Sequence, residues 1–151
     1  MRRDPARLIK WINFYPPFLG MGIRVAQVAP DFRTIRVESE LTWRNLNAVG
    51  THFGGTLYAM CDPFFMLILM QALGEEYIVW DKAATIQFLR PGRGKVTATF
   101  HVPQETIDQL RARASAGEKI EPTFVVDVVD EKGEAVARVE KLLYVRKKNS
   151  Q

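Results

Sequence analysis

The chain is poor in several things that would make its chemistry plain. It has one cysteine, Cys61. No internal disulfide can form and no cysteine-based metal site exists, which fits a reducing cytosol. No carboxylate–histidine cluster has metal-ligand spacing, so no metal is expected. The N-terminal segment lacks both a continuous apolar core and a small-residue cleavage pattern, so no signal peptide is read there. A membrane span needs about 20 apolar residues, and the uninterrupted apolar run here is only residues 64–70. Gly54, Gly55, Asp62 and Pro63 break what precedes it. No membrane association is expected. Charge of one sign is scarcely in excess: 21 Lys and Arg against 17 Asp and Glu, a net charge of +4. The basic residues at the two ends read as solvated termini, and no motif of a nucleic-acid binder accompanies them. Internal repeats, low-complexity tracts and linkers are also missing.

What is present is an ordinary globular composition, 47% apolar in 151 residues, enough for one domain with a real core. Residues 1–20 read as a helical extension of that domain. An amphipathic helix is expected over residues 5–14, with Leu8, Ile9, Trp11 and Ile12 as its apolar face and Pro16-Pro17 as its stop. Residues 23–28 and 34–41 alternate as strands and pair as a hairpin. Residues 43–53 are loop. Residues 54–73 read as a helix ended by Gly74, apolar all round in its second half and therefore enclosed. Strands follow at 77–89 and 95–102, with Val96, Ala98 and Phe100 on one face. A short helix is expected at 104–116, then a hairpin of residues 122–130 and 135–145 across Glu131-Lys132-Gly133. One apolar helix against about six mainly antiparallel strands is an α+β layer arrangement. Such a sheet keeps exposed edges, so a subunit is expected to pair with a copy of itself, as a dimer or, by further association of dimers, a tetramer.

The run from Asn47 to Asp62, with Gly54-Gly55 between them, is followed by residues 84–92 ending in Phe88-Leu89-Arg90-Pro91-Gly92. Together they resemble the hot-dog fold acyl-CoA thioesterases, most of all the phenylacetate-pathway type. The resemblance covers roughly residues 20–147. It implies a long central helix wrapped by a curved sheet, an acyl-CoA substrate, and no cofactor beyond the coenzyme A that the substrate carries. It also implies a cytoplasmic homodimer whose site is shared between subunits. Asn47, Gly54, Gly55 and Asp62 match the family pattern. Phe53 stands where that group has a histidine, and His52 lies one place earlier, so a role tied to that histidine does not transfer.

The residues themselves suit this chemistry. Thioester hydrolysis needs a polarised carbonyl and an activated water or carboxylate nucleophile. Gly54 and Gly55 open a helix, where free N–H groups could hold an oxyanion; a tight turn is the plainer alternative. Asp62 would be general base or nucleophile. Asp followed by Pro63 is equally the start signature of a second helix segment, and both readings can hold together. Gly55 and Asp62 are two helical turns apart, about 10 Å along a continuous axis, which favours a site completed by a second subunit. Asn47 could hold water or brace its loop. His52 could be acid, base or substrate contact, or structural. Thr56 could cap the helix or bond the water of Asp62. Phe53 is placed at the substrate site. Arg90 and Arg93 could meet coenzyme A phosphates or simply solvate a hairpin. Cys61 reads as an inert buried thiol. Asp81-Lys82, inside an apolar strand, reads as a bulge or ion pair or as a site contact. A hydratase acting through His52 and Asp62, and a non-catalytic acyl-CoA-binding module, are the rival functions.

Overall fold

The computed structural model describes residues 5–149. In chain order the elements are α1 (Pro5–Ile12), α2 (Pro16–Met21), β1 (Ile23–Val28), β2 (Thr34–Glu40), α3 (Gly54–Ala59), α4 (Phe64–Leu73), β3 (Tyr77–Phe88), β4 (Lys95–His101), α5 (Gln104–Ser115), β5 (Thr123–Val129) and β6 (Ala135–Lys147). The strands form one sheet in the order β1-β2-β4-β5-β6-β3, every pair antiparallel.

The sheet's inner face is built by period-two alternation. Ile35 and Val37 of β2, Val96, Ala98 and Phe100 of β4, and Val139, Leu143 and Val145 of β6 are all fully enclosed. They close over α4, whose Phe64, Phe65, Ile68 and Leu69 are buried. Aromatic rings tie the layers: Phe65 stacks on Phe124 at 4.9 Å and meets Phe100 edge-on at 5.2 Å. The helical run Gly54–Leu73 is long and apolar enough to cross a membrane. Half of it is buried under the sheet, as a core helix would be, while Met70 at its end stays 39% exposed, so the enclosure expected for its second half is partial. Gly74 ends it with φ 95, its N–H bonded to the Met70 carbonyl.

Three local readings need correction. Pro16 and Pro17 do not merely stop α1, which ends at Ile12; they begin α2, because proline fits the first helical turn, where its missing N–H costs nothing. Trp11, expected on a buried face, is 77% exposed. The side chains of Leu8 and Ile9, expected on the same face, lie outside those described. The run from Gly54 to Leu73 is helical as expected, but it breaks at residues 60–63 into α3 and α4, with a cis bond between Asp62 and Pro63. The two-turn spacing of Gly55 and Asp62 therefore does not lie on one axis.

The break and the sheet edge position the site. Strand β3 is an edge strand, bonded only to β6. Its register shifts between Asp81 and Ala83, so Lys82 bulges out while Asp81 and Ala84 fall on the same side of the strand. Across from Ala84 lies Lys141 of β6, and on the other side of Lys141 is Phe124 of β5. The alternation that buries Val139 and Leu143 thus carries a lysine into the interior, where it is 1% exposed.

Candidate active site

Asp62 sits at the break between α3 and α4, with its side chain 45% exposed. It does not cap α4: the cap position is Pro63, without a side-chain bond. Its Oδ1 instead accepts a hydrogen bond from Lys141 Nζ at 3.0 Å. The same ammonium lies 3.3 Å from Asp81 Oδ2 and donates a longer bond, 3.4 Å, to the Tyr58 hydroxyl of α3. Lys141 is the sole fully buried ionisable side chain of Lys, Arg, Asp or Glu type among the described residues with under 2% exposure. A buried ammonium is tolerated because two carboxylates meet it.

The electrostatics follow from that packing. Burial pulls the Lys141 ammonium down, but the Asp62 hydrogen bond and the charges of Asp62 and Asp81 outweigh it and hold its pKa above the ordinary value. Burial and hydrogen bonding to Asp62 push the Asp81 carboxyl up, against the pull of Lys141. Asp81 Oδ1 is buried without a partner. Burial drives the neighbouring Cys61 thiol to about 12, which makes it inert as a nucleophile at neutral pH, as expected.

The glycine turn is the second component. α3 starts at Gly54, and its first ring closures run from Thr56 and Leu57 N–H to the Phe53 carbonyl. The amides of Gly54 and Gly55 precede those closures and are left open by the helix itself. Glycine also lets two aromatic rings lie close over the turn. A Cβ on Gly55 would stand 2.4 Å from the Phe53 ring, and one on Gly54 would stand 3.0 Å from the Phe88 ring. Both rings are more than half exposed. Beside this turn is a hollow of about 490 Å³ lined by Asn47, His52, Gly54, Leu57, Phe88 and Gly92 among others.

Other candidates have structural duties. Asn47 donates to Thr51 Oγ1 and the His52 carbonyl and accepts from the Val49 and Thr51 amides, so it braces its own loop. His52 is buried, its Nε2 bonded to the Gly94 carbonyl at 2.8 Å and its ring against Gly92. Burial lowers its pKa. Thr56 neither caps α3, whose cap is Phe53, nor finds any partner for its buried hydroxyl. Arg90 is ion-paired to Glu134 across the turn. Arg93 is exposed on that turn. Lys82 pairs with Glu121, so the Asp81-Lys82 step is at once a bulge, an ion pair and a contact to the Asp62 cluster. The sequence reading missed Lys141 entirely. Its signal was there: residues 137, 139, 141, 143 and 145 share one strand face, and four of the five are apolar.

The fold recurs in solved proteins. A protein of unknown function from Pseudomonas aeruginosa, PA5026, described as a probable thioesterase, superposes with a TM-score of 0.85 at 22% identity, over 96% of this chain and 97% of that one. The thioesterase HI1161 of Haemophilus influenzae gives 0.70 at 16%, over 97% and 93%. The TT0310 protein of Thermus thermophilus gives 0.61 at 27%, over 87% and 97%. These likenesses establish the hot-dog fold. No match is found among curated proteins. A family model described as a domain of unknown function, DUF4442, spans residues 6–145; with nearly the whole chain inside it, this protein belongs to that family.

Proposed function

We propose that the protein is an acyl-CoA thioesterase in which Asp62 activates water, or attacks directly, and the Gly54-Gly55 turn of a second subunit receives the carbonyl oxygen. The observation that carries this is a carboxylate held at a helix break by a buried ammonium while its other side stays open. In the water route, Asp62 takes a proton as the water oxygen bonds to the thioester carbon. The negative oxygen of the tetrahedral intermediate is met by the open amides, donors of a kind typically worth about 3–4 kcal/mol. Collapse breaks the carbon–sulfur bond, and the leaving thiolate takes the proton back from Asp62. The solved thioesterase of the same fold adds support at the level of architecture.

The need for two subunits rests on strand arithmetic. Asp62 is linked through Lys141 to Asp81, and Gly54 lies under Phe88. These two positions of β3 are seven residues apart, roughly 20 Å of strand. If two β3 edges pair antiparallel about a twofold axis near residues 84 and 85, the Asp81 end of one strand meets the Phe88 end of the other. Such pairing also gives the twelve-residue open edge its partner.

A hydratase would need a histidine working with the carboxylate. The Nε2 of His52 is taken by the Gly94 carbonyl, and no hydrogen bond joins His52 to Asp62, which weighs against that reading. The test is thiol release over acyl-CoAs of graded chain length and phenylacetyl-CoA. Asp62→Ala should lower kcat by at least about a hundredfold with the circular dichroism spectrum unchanged. Full activity in that variant would sink the mechanism, and tight binding without thiol release in the wild type would recast the protein as an acyl-CoA cup.

A further inference from the structure

The geometry points to Lys141 and Asp81 as the charge-setting partners of Asp62: a buried ammonium fixes the reactive carboxylate, and a second carboxylate shares that ammonium. This rests on Asp62 being the reactive group, and it assigns positioning roles to two residues of β6 and β3 that the hydrolysis scheme does not use.

The placement is unusually constrained. Lys141 is 1% exposed, flanked in the sheet by Phe124 on one strand and Ala84 on the other, and bonded at 3.0 Å to Asp62 and 3.3 Å to Asp81. A lysine on the inner face of a sheet replaces an apolar side chain that would fit there at less cost, since desolvating an ion is expensive. Packing alone gives no reason for it. Asp81 likewise leaves Oδ1 buried and unpartnered, a cost that stability alone would remove.

The titratable groups around the ammonium are few. α3 contributes Tyr58, the break contributes Cys61 and Asp62, β3 contributes Asp81, and the facing residue of β5 is the apolar Phe124. The Cys61 thiol, pushed up by burial, stays neutral at working pH. The balance is therefore one cation against two carboxyls. With the ammonium present, the Asp81 carboxyl, pushed up by burial and by Asp62 against the pull of Lys141, favours its protonated form more than an ordinary carboxyl does. Without the ammonium, two close carboxyls share one proton, and neither is freely available as a base.

Lys141→Met keeps the length and apolar stem and removes the charge. Its thiol-release profile against pH should have an acid limb about one pH unit or more above that of the wild type, since an opposite charge at this range is worth about 1–3 units. On the acid limb of the wild type kcat/KM should fall about tenfold for each unit of that shift, and recover as pH rises. Lys141→Met/Asp81→Asn, which also removes the competing carboxyl, should move the limb back toward the wild type. Asp81→Asn alone, which retains the ammonium, should move it lower, and it serves if the lysine variants fail to fold. A carbon-13 titration of the Asp62 carboxyl in the same proteins gives the answer without turnover. If wild type cleaves no acyl-CoA, the functional reading fails, yet the titration still decides the role of Lys141. An Asp62 titration and acid limb unmoved by these substitutions would overturn the inference.

Discussion

At the scale of single residues, His52 shows how a candidate acid–base group becomes a structural one. Its imidazole donates Nε2–H to the Gly94 carbonyl and is buried against Gly92, which pins the turn after β3 to the loop before α3. Burial lowers its pKa below the ordinary 6.5. The unfolded chain therefore binds a proton at a higher pH than the folded one. Stability from this group is complete above the unfolded value and is lost as pH falls from there through the folded value. The urea midpoint of the wild type should drop between about pH 7.5 and about pH 5, and in His52→Gln, which can still donate to Gly94 but does not titrate, the drop should be smaller. Equal slopes would show that His52 is not the group responsible. The family motif drew attention to His52 and Asn47; Asn47 is committed within its own loop, and His52 to the turn after β3. The motif could not show this, because it records which residues recur and not which hydrogen bonds they spend. Asp62 was legible as a carboxylate in an apolar segment that had to be exposed or paired. It is both, and its partner was hidden only because Lys141 lies 79 residues away in sequence.

At the scale of elements, the sequence pattern was strongest where burial imposes a period. β1 to β6 fall within two residues of their expected limits because alternation follows directly from having one face on the core. The hairpin between β5 and β6 was equally plain. Gly133 supplies the positive φ of 79, and Asp130 Oδ1 accepts from the Lys132 and Glu134 amides. Helical limits were harder to read. α2 was missed because paired prolines read as a stop, though they also suit a first turn. The break before α4 was only an alternative, because apolarity continues across it while the backbone does not. What α4 contributes is packing, and Phe65 is its centre, stacked on Phe124 and edge-on to Phe100. Phe65→Ala should cost about 3–5 kcal/mol, read as a lower midpoint in urea at unchanged slope. A loss below about 1 kcal/mol would mean the helix is not held by this cluster.

At the scale of the whole molecule, the open edge and the divided site make one argument. β3 exposes Trp80 and Phe88, and just beyond it Leu89, beside an unpaired strand backbone. An exposed, long and partly apolar edge is a liability unless something covers it. A twofold pairing of this edge would cover it and would also bring each Asp62 toward the other chain's glycine turn. Complementation tests this directly. Gly54→Pro removes one amide donor at a first-turn position whose backbone suits proline, after an extended Phe53 with ψ 130, with the exposed Phe88 ring giving way to the added carbons. Asp62→Ala removes the carboxylate and leaves both glycine amides. Each variant alone should be inactive. Mixed and allowed to exchange subunits, half the dimers become hybrids, and each hybrid has one intact site of two. Activity should then return to about a quarter of the wild-type value. If carboxylate and amides instead served the same site within one chain, no hybrid would contain an intact site on either defective subunit. Mixing would then restore nothing.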